Sequence, residues 1–132
     1  MASRGQVRRI ALSFPGVEEG EGHFSFGVPH GARLKGFVWV WMERVSPKKP
    51  QVANESVIAV RVMNLAQRDL LLAAEPEKFF TEPHYAGFPA VLVRLPAVTV
   101  ADLQVLFADA WRTQATKALL AGTSTKDAEQ KR

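Results

Sequence analysis

One short segment gathers the side chains best suited to proton transfer. Residues 82–85, "EPHY", contain Glu82, His84 and Tyr85. Alternate residues of a strand share a face, so Glu82 can orient His84 as a general base. The sequence marks no nucleophile beside this pair, and histidine and tyrosine at a hairpin more often hydrogen-bond to neighbouring backbone. We therefore assign no catalytic residue and favour a non-enzymatic protein.

Candidate metal ligands lie further upstream. Glu18, Glu19, Glu21 and His23 offer carboxylate and imidazole groups, and either His30 or His84 is available to complete such a site. Metals accept such ligands, but no HExxH or comparable fixed spacing is present, and loop glutamates are ordinarily solvated. The glycines of "GEGHFSFG" precede a strand instead of joining a strand to a helix, and no GK[ST] motif occurs. The sequence therefore predicts neither a metal site nor a nucleotide cofactor.

The basic residues favour a polyanionic partner. The chain has 17 basic and 13 acidic residues, a formal net charge of +4 and a pI near 9.8. Lys48 and Lys49 lie between prolines in a predicted exposed loop, and Arg33 and Lys35 lie in the predicted turn before it. Together they form a candidate rim for phosphate contacts. The alternative is an ordinary solvated surface, where lysines normally lie.

A second basic group is predicted on one face of the sheet. Arg61 and Arg94 alternate with apolar residues, so both should project away from the helices. With Trp39 and Trp41 on the adjacent strand, they would stack bases and pair phosphates. Alternatively the tryptophans lie in the core, or form a dimer contact, and the arginines are surface charges. The residues predicted to face inward are Ile58, Val60, Val62, Val91, Val93 and Leu95.

Hydrophobic periodicity and capping signals predict the elements that position these residues. Three helices are predicted: residues 3–14, residues 65–74, and a last helix from Val100 to a stop near Gly122. Five strands are predicted: residues 23–28, 37–44 and 56–63, a segment that begins at Phe79, and residues 89–95. Phe37, Trp39 and Trp41 are expected on one face of their strand. The fold class is therefore α+β: a two-layer domain with an antiparallel five-stranded sheet, helices on one face and the order α-β-β-β-α-β-β-α.

Length and composition bound the organisation of the chain. It has 132 residues, 47% of them hydrophobic, which suits one domain over residues 1–122. Residues 123–132 have no apolar anchor and are expected to form a disordered tail. Zero cysteines exclude disulfides, thiol nucleophiles and cysteine-based metal sites. No apolar run approaches the ~20 residues of a membrane span, so we expect a soluble cytoplasmic protein.

Across nearly its whole length the sequence resembles the MmcQ/YjbR family of small bacterial proteins. The resemblance rests on "LSFPGVEEGEGHFSFG", "KGFVWVWMER", "EPHYAGFPAVLVRL" and "DAWRTQATKALL", in that order. It implies a CyaY-like fold with a double-wing DNA-binding motif. Glu82 and Pro83 depart from the family pattern, because they stand where basic or polar residues are common.

The resemblance and the excess of basic over acidic residues together predict a nucleic-acid-binding protein that uses basic loops and one sheet face. Loop residues would contact the phosphate backbone, strand arginines would hold the nucleic acid, and the second wing would stack or hydrogen-bond. The alternative is a protein-interaction or chaperone-like module that uses the sheet face without catalysis, as a monomer or weak homodimer. The candidate site residues are Arg33, Lys35, Lys48, Lys49, Arg61, His84, Tyr85 and Arg94.

Overall fold

The computed structural model describes residues 2–20, 24–43, 52–85 and 87–115, and it describes residues 41–43, 52–55 and 84 by their backbone alone. Short 3-10 turns occur at Pro83–Tyr85 and Leu95–Ala97. The helices and strands in chain order are α1 (Arg4–Leu12), β1 (Glu18–Glu19), β2 (Ser25–His30), β3 (Arg33–Glu43), β4 (Val52–Arg61), α2 (Leu65–Ala74), β5 (Phe79–Phe80), β6 (Ala90–Arg94) and α3 (Val100–Gln114).

Across the described residues, the strands form one open antiparallel sheet of six strands in the order β1-β2-β3-β4-β6-β5. The α+β class with three helices is therefore confirmed. The five-strand prediction and its element order were wrong, because β1 is an additional strand. Its residues Glu18 and Glu19 pair with Gly27 and Phe26, and both are exposed, so no apolar pattern marks the strand.

The β2–β3 hairpin is longer than its apolar residues indicate. Backbone pairing continues from Val28↔Lys35 to His30↔Arg33. The turn is only Gly31 and the residue after it, and Gly31 adopts the positive φ of 63° that glycine tolerates. The predicted turn over residues 29–36 was therefore wrong: Arg33 and Lys35 belong to a strand.

A bulge near the start of β3 changes which residues face the helices. Phe26 pairs with Val38, whereas the next residue, Gly27, pairs with Gly36, so Phe37 is the extra residue on β3. Phe37 and Val38 consequently both lie in the main core. The predicted alternation, with Phe37 and Trp39 on one face, was wrong because a bulge interrupts the two-residue period.

The main core lies between the sheet and the helices. Phe14 stacks on Trp111 at 6.0 Å between ring centroids and meets Phe37 edge-on at 6.3 Å. The Trp111 indole N–H donates to the Pro15 carbonyl over 2.9 Å, tying α3 to the segment after α1. The predicted inward orientation was confirmed for Ile58, Val60, Val62, Val91, Val93 and Leu95, all of which are buried in this core.

The predicted helix caps were also confirmed. Ser3 and Gln6 form a reciprocal capping box, as do Thr99 and Asp102, and the Asn64 side chain accepts from the backbone N–H of Gln67. α3 ends at Gln114, and its C-cap residue Ala115 is extended, so the predicted run of one helix from Val100 to a stop near Gly122 was wrong. Residues 116–132, which include the predicted tail over 123–132, lie outside the described residues. In the part of the chain that is described, no helix has the length and apolarity that crossing a membrane demands.

Candidate nucleic-acid interface

The face of the sheet turned away from α1 and α3, the outer face, carries a second apolar cluster. In many two-layer domains this face would meet solvent directly. Here the floor of the cluster is Val57, Ala59 and Leu92, all buried. Trp39, Phe80 and Tyr85 pack over that floor and are themselves half-buried. Aromatic side chains therefore cover this part of the outer face.

The connection between β5 and β6 folds over the outer face and contributes some of these aromatic side chains. The Trp39 indole N–H donates to the Tyr85 hydroxyl oxygen over 3.1 Å. Phe88 meets Trp39 edge-on, with ring centroids 6.1 Å apart, and lies 6.2 Å from the Tyr85 ring. Phe88 is 39% exposed, so it forms the outermost part of the group. We call Trp39, Phe80, Tyr85 and Phe88 the aromatic patch.

A buried arginine fixes this connection from the edge of the sheet. Arg68, on α2, is only 9% exposed. Its Nη1 donates to the Tyr85 carbonyl over 3.0 Å, and its Nη2 lies 3.2 Å from a carboxylate oxygen of Asp69. Since α2 packs beside β5 and β6, this bond fixes the backbone of Tyr85 relative to the helix.

Two further arginines lie on rings of the aromatic patch. Cζ of Arg61 is 5.1 Å from the centroid of Phe88, and Cζ of Arg94 is 4.3 Å from that of Phe80. Nη1 of Arg94 also donates to the Pro76 carbonyl over 2.8 Å. Arg61 pairs with Ala90, and Arg94 pairs with Val57, so four strand positions separate the arginines. That offset corresponds to about 13 Å along the sheet.

Neither of these arginines forms an ion pair within the described part of the chain. Within the described residues, Arg61 and Arg94 have no carboxylate oxygen within 4 Å, whereas Arg8, Arg68 and Arg112 each form an ion pair. Nε of Arg61 is buried without a hydrogen-bond partner in the described structure. Both half-buried arginines thus lie beside an aromatic surface, where their guanidinium groups can pair with a bound anion.

The other predicted site residues do not all join this group. Lys35 pairs with Val28, whose side chain lies in the main core, so Lys35 and Arg33 point toward the helix side of the sheet. Both are exposed there. Lys48 and Lys49 lie outside the described residues, and the side chain of His84 is not described. The structure therefore brings Tyr85 together with Arg61 and Arg94, and places Arg33 and Lys35 on the opposite face.

The metal-ligand candidates that the structure describes have separate partners. A carboxylate oxygen of Glu19 lies 2.9 Å from a guanidinium nitrogen of Arg8, and Nε2 of His30 lies 2.9 Å from the Gln114 carbonyl oxygen. Glu21 and His23 fall outside the described residues. In the described ranges, no three acidic or histidine side chains come together in a geometry that would hold a metal ion.

Sequence reasoning missed three residues of the outer face. Phe80 was assigned to hairpin packing alone, and Arg68 gave no signal, because an arginine inside a helix is ordinarily exposed. Phe88 did carry a signal, since it is a large aromatic between Gly87 and Pro89 in a loop where polar residues are usual.

These observations define a small two-layer α+β domain whose helix-free sheet face is aromatic and cationic. The chain belongs to the family of the uncharacterized protein Rv2570 of Mycobacterium tuberculosis, to which it is 45% identical over 129 residues. The match covers 91% of this chain and 94% of that protein. The uncharacterized protein Mb2600 of Mycobacterium bovis shows the same identity and coverage. No protein-family model matches the sequence.

A solved structure shares the fold. The crystal structure of Deinococcus radiodurans protein DR2400, described as containing the domain DUF419, superposes with a TM-score of 0.63. The match covers 89% of this chain and 85% of DR2400, at 16% sequence identity. At that identity the likeness establishes the fold alone. None of these matches names MmcQ/YjbR or nucleic acid, so both stay predictions.

Proposed function

We propose that this protein binds single-stranded nucleic acid on its outer face. Bases stack on the aromatic patch, and phosphates pair with Arg61 and Arg94. The observation that carries the proposal is the placement of two arginines on the rings of Phe88 and Phe80, both of them without an ion pair among the residues that the structure describes. A site of this kind needs a ligand that is both aromatic and anionic, which describes a nucleic acid strand.

Single strands fit this surface better than duplexes do. Stacking requires bases whose faces are accessible, and it tolerates any sequence because every base has a π face. Sheet faces that carry aromatic residues bind two or three unstacked bases in known RNA-binding modules. Arg61 and Arg94 lie about 13 Å apart along the sheet, so a bound strand would contact the protein over a similar length. The rings would supply affinity and the arginines would orient the strand.

The net charge of +4 supports a polyanionic partner. Lys48 and Lys49 belong to the connection between β3 and β4, which leads into the first residue of β4, Val52. Arg94 pairs with Val57, so it lies nearer to this end of β4 than Arg61 does. We include both lysines as contacts to the nucleic acid backbone. Membership of the MmcQ/YjbR family, a cytoplasmic location, and a monomer or weak homodimer are further parts of this proposal.

Fluorescence anisotropy with labelled single-stranded DNA, single-stranded RNA and duplex DNA tests the proposal at several salt concentrations. For single strands, the slope of log affinity against log salt is about −0.7 per phosphate neutralised. We expect Arg61→Ala/Arg94→Ala to reduce that slope by about 1.4. The matched control is Arg33→Ala/Lys35→Ala, which removes the same charge from the opposite face and should keep most of the slope.

Phe88→Ala tests the stacking contribution separately. Its ring is 39% exposed, so the fold should tolerate the change, while base stacking on one ring contributes about 1–3 kcal/mol. Equal losses in the outer-face and control double variants would contradict the proposed location. Absence of binding to every probe at low salt would refute the function.

The aromatic patch also suits the alternative of a protein-interaction module, since an exposed ring beside half-buried ones is typical of partner surfaces. That alternative predicts association that depends weakly on salt. Sedimentation showing a stable dimer, together with loss of Trp39 accessibility to a fluorescence quencher, would favour it over nucleic acid.

A further inference from the structure

A shallow, open pocket of about 420 Å³ lies on the outer face at the end where Arg94 lies. This volume falls within the range of small-molecule sites, which are mostly apolar with a few placed polar groups. The described residues that line this pocket are Ser56, Val57, Phe80, Arg94, Pro96 and Ala97. Among these, Arg94 carries the one charged side chain.

The guanidinium of Arg94 is held in place before any ligand binds. Phe80 covers one face of it at 4.3 Å, and the Pro76 carbonyl accepts from its Nη1. A guanidinium has five N–H donors, and the bond to Pro76 uses one of them. Its planar fork matches the two oxygens of a phosphate, and its second face can stack on a base.

We propose that this pocket binds one nucleotide unit, with the base against Phe80, Pro96 and Ala97 and the phosphate on Arg94. The inference rests on the proposed function and deepens it. One nucleotide of the strand leaves the row of stacked bases and enters a pocket that shares Phe80 and Arg94 with the aromatic patch. Apolar lining alone would accept many ligands, whereas the fixed cation at its edge selects an anionic one.

Nuclear magnetic resonance of the full chain with methyl-labelled valine and alanine tests this site. The probes are adenosine 5′-monophosphate, adenosine, inorganic phosphate and benzoate. We expect the monophosphate to shift the methyl signals of Val57 and Ala97, and to bind at least tenfold more tightly than adenosine or inorganic phosphate. Benzoate, an aromatic carboxylate, should bind at least fivefold more weakly than the monophosphate.

Two variants of Arg94 separate recognition from folding. Arg94→Ala should weaken monophosphate binding at least tenfold. Arg94→Lys keeps the charge but lacks the planar fork, so it should also weaken binding, while its spectrum shows that the domain is folded. Arg33→Ala, on the opposite face, is the matched control and should leave the affinity unchanged.

The inference is overturned if the monophosphate leaves Val57 and Ala97 unshifted, or if benzoate binds as tightly. Oligonucleotide anisotropy keeps the two proposals apart. Oligonucleotide binding that depends on Arg61 and Arg94, without any response to the monophosphate, removes the nucleotide pocket and keeps the proposed function. Binding of the monophosphate without binding of any oligonucleotide removes the proposed function and keeps the nucleotide pocket.

Discussion

The indole N–H of Trp39 and the hydroxyl oxygen of Tyr85, 46 positions apart in the chain, are joined by a hydrogen bond of 3.1 Å. The bond connects β3 to the turn between β5 and β6, so it fixes the turn on the outer face. Both rings are half-buried, and Ala59 beneath them is completely buried. This polar contact within an apolar cluster helps to order the aromatic patch, together with the bond from Arg68 to the Tyr85 carbonyl.

Tyr85→Phe should destabilise the domain, because it leaves the Trp39 N–H without its acceptor. An unpaired donor of this kind costs about 1–3 kcal/mol when buried, and the low end applies to a half-buried indole. Urea denaturation followed by circular dichroism measures the change. Phe88→Leu is the control, since it alters a 39% exposed ring that forms no hydrogen bond, and it should cost less. A Tyr85→Phe protein as stable as the wild type would show that the bond contributes nothing.

Arg61→Met should leave the domain as stable as the wild type or more stable, while weakening nucleic acid binding. The buried Nε of Arg61 lacks a hydrogen-bond partner in the described structure, and removing such a donor recovers about 1–3 kcal/mol. Loss of the cation–π contact with Phe88 subtracts about 0.5–1 kcal/mol. Paired measurements of unfolding free energy and oligonucleotide affinity check this. A marked loss of stability would mean that Arg61 has a structural role.

Gly27→Ala should destabilise the domain by about 1–3 kcal/mol or more, as overpacking does. A Cβ at this position would collide with the backbone carbonyl of Lys35 at the bulge, and backbone cannot move aside as a side chain can. Gly87→Ala is the matched control, because no atom of the described residues outside its chain neighbours lies within 4 Å of a Cβ placed there. Thermal unfolding of the two variants should differ clearly, and equal melting temperatures would contradict the described bulge.

Asp102 should contribute to the pH dependence of stability in acid. The backbone N–H of Thr99 donates to its carboxylate over 3.0 Å and lowers the pKa of Asp102; burial opposes the shift, and the Lys78 ammonium at 3.3 Å lowers the pKa further. A lowered pKa in the folded state means that the stabilisation is complete above the unfolded value of about 3.9. It is lost as the pH falls through the lower folded value.

Unfolding free energies of wild type and Asp102→Asn, measured from pH 7 to pH 2, check this. The wild type should be more stable at pH 7, and the difference should shrink toward zero below about pH 4. Asp109→Asn, in the same helix and paired with the exposed Arg112, is the control and should change stability by less than about 0.5 kcal/mol. A difference for Asp102→Asn that stays constant with pH would contradict the assigned pKa direction.

Hydrophobic periodicity located most of the fold because it reports burial directly. The alternation of Ile58, Val60 and Val62 with Arg61 predicted correctly which face of β4 meets the helices. The extended hairpin escaped notice, because Arg33 and Lys35 pair through their backbones while their side chains stay in solvent. Strand pairing of that kind produces no hydrophobic pattern in the sequence.

The candidate site was harder to predict than the core. Alternation was enough to place Arg61 and Arg94 on one face, but it could not show that the β5–β6 connection folds back over that face. Contacts such as Trp39 with Tyr85 join distant parts of the chain, and no local pattern specifies them. The bulge at Phe37 likewise depends on a backbone offset between two strands, which single-strand periodicity does not register.

The lateral borders of the sheet also limit how this protein can associate. The outermost strands, β1 and β5, have two residues each, so they present few unpaired backbone groups to another chain. Where β2 extends beyond β1, Pro29 lacks the N–H that an added strand would need. Growth by strand addition, the first step of amyloid-like aggregation, is therefore disfavoured at these edges.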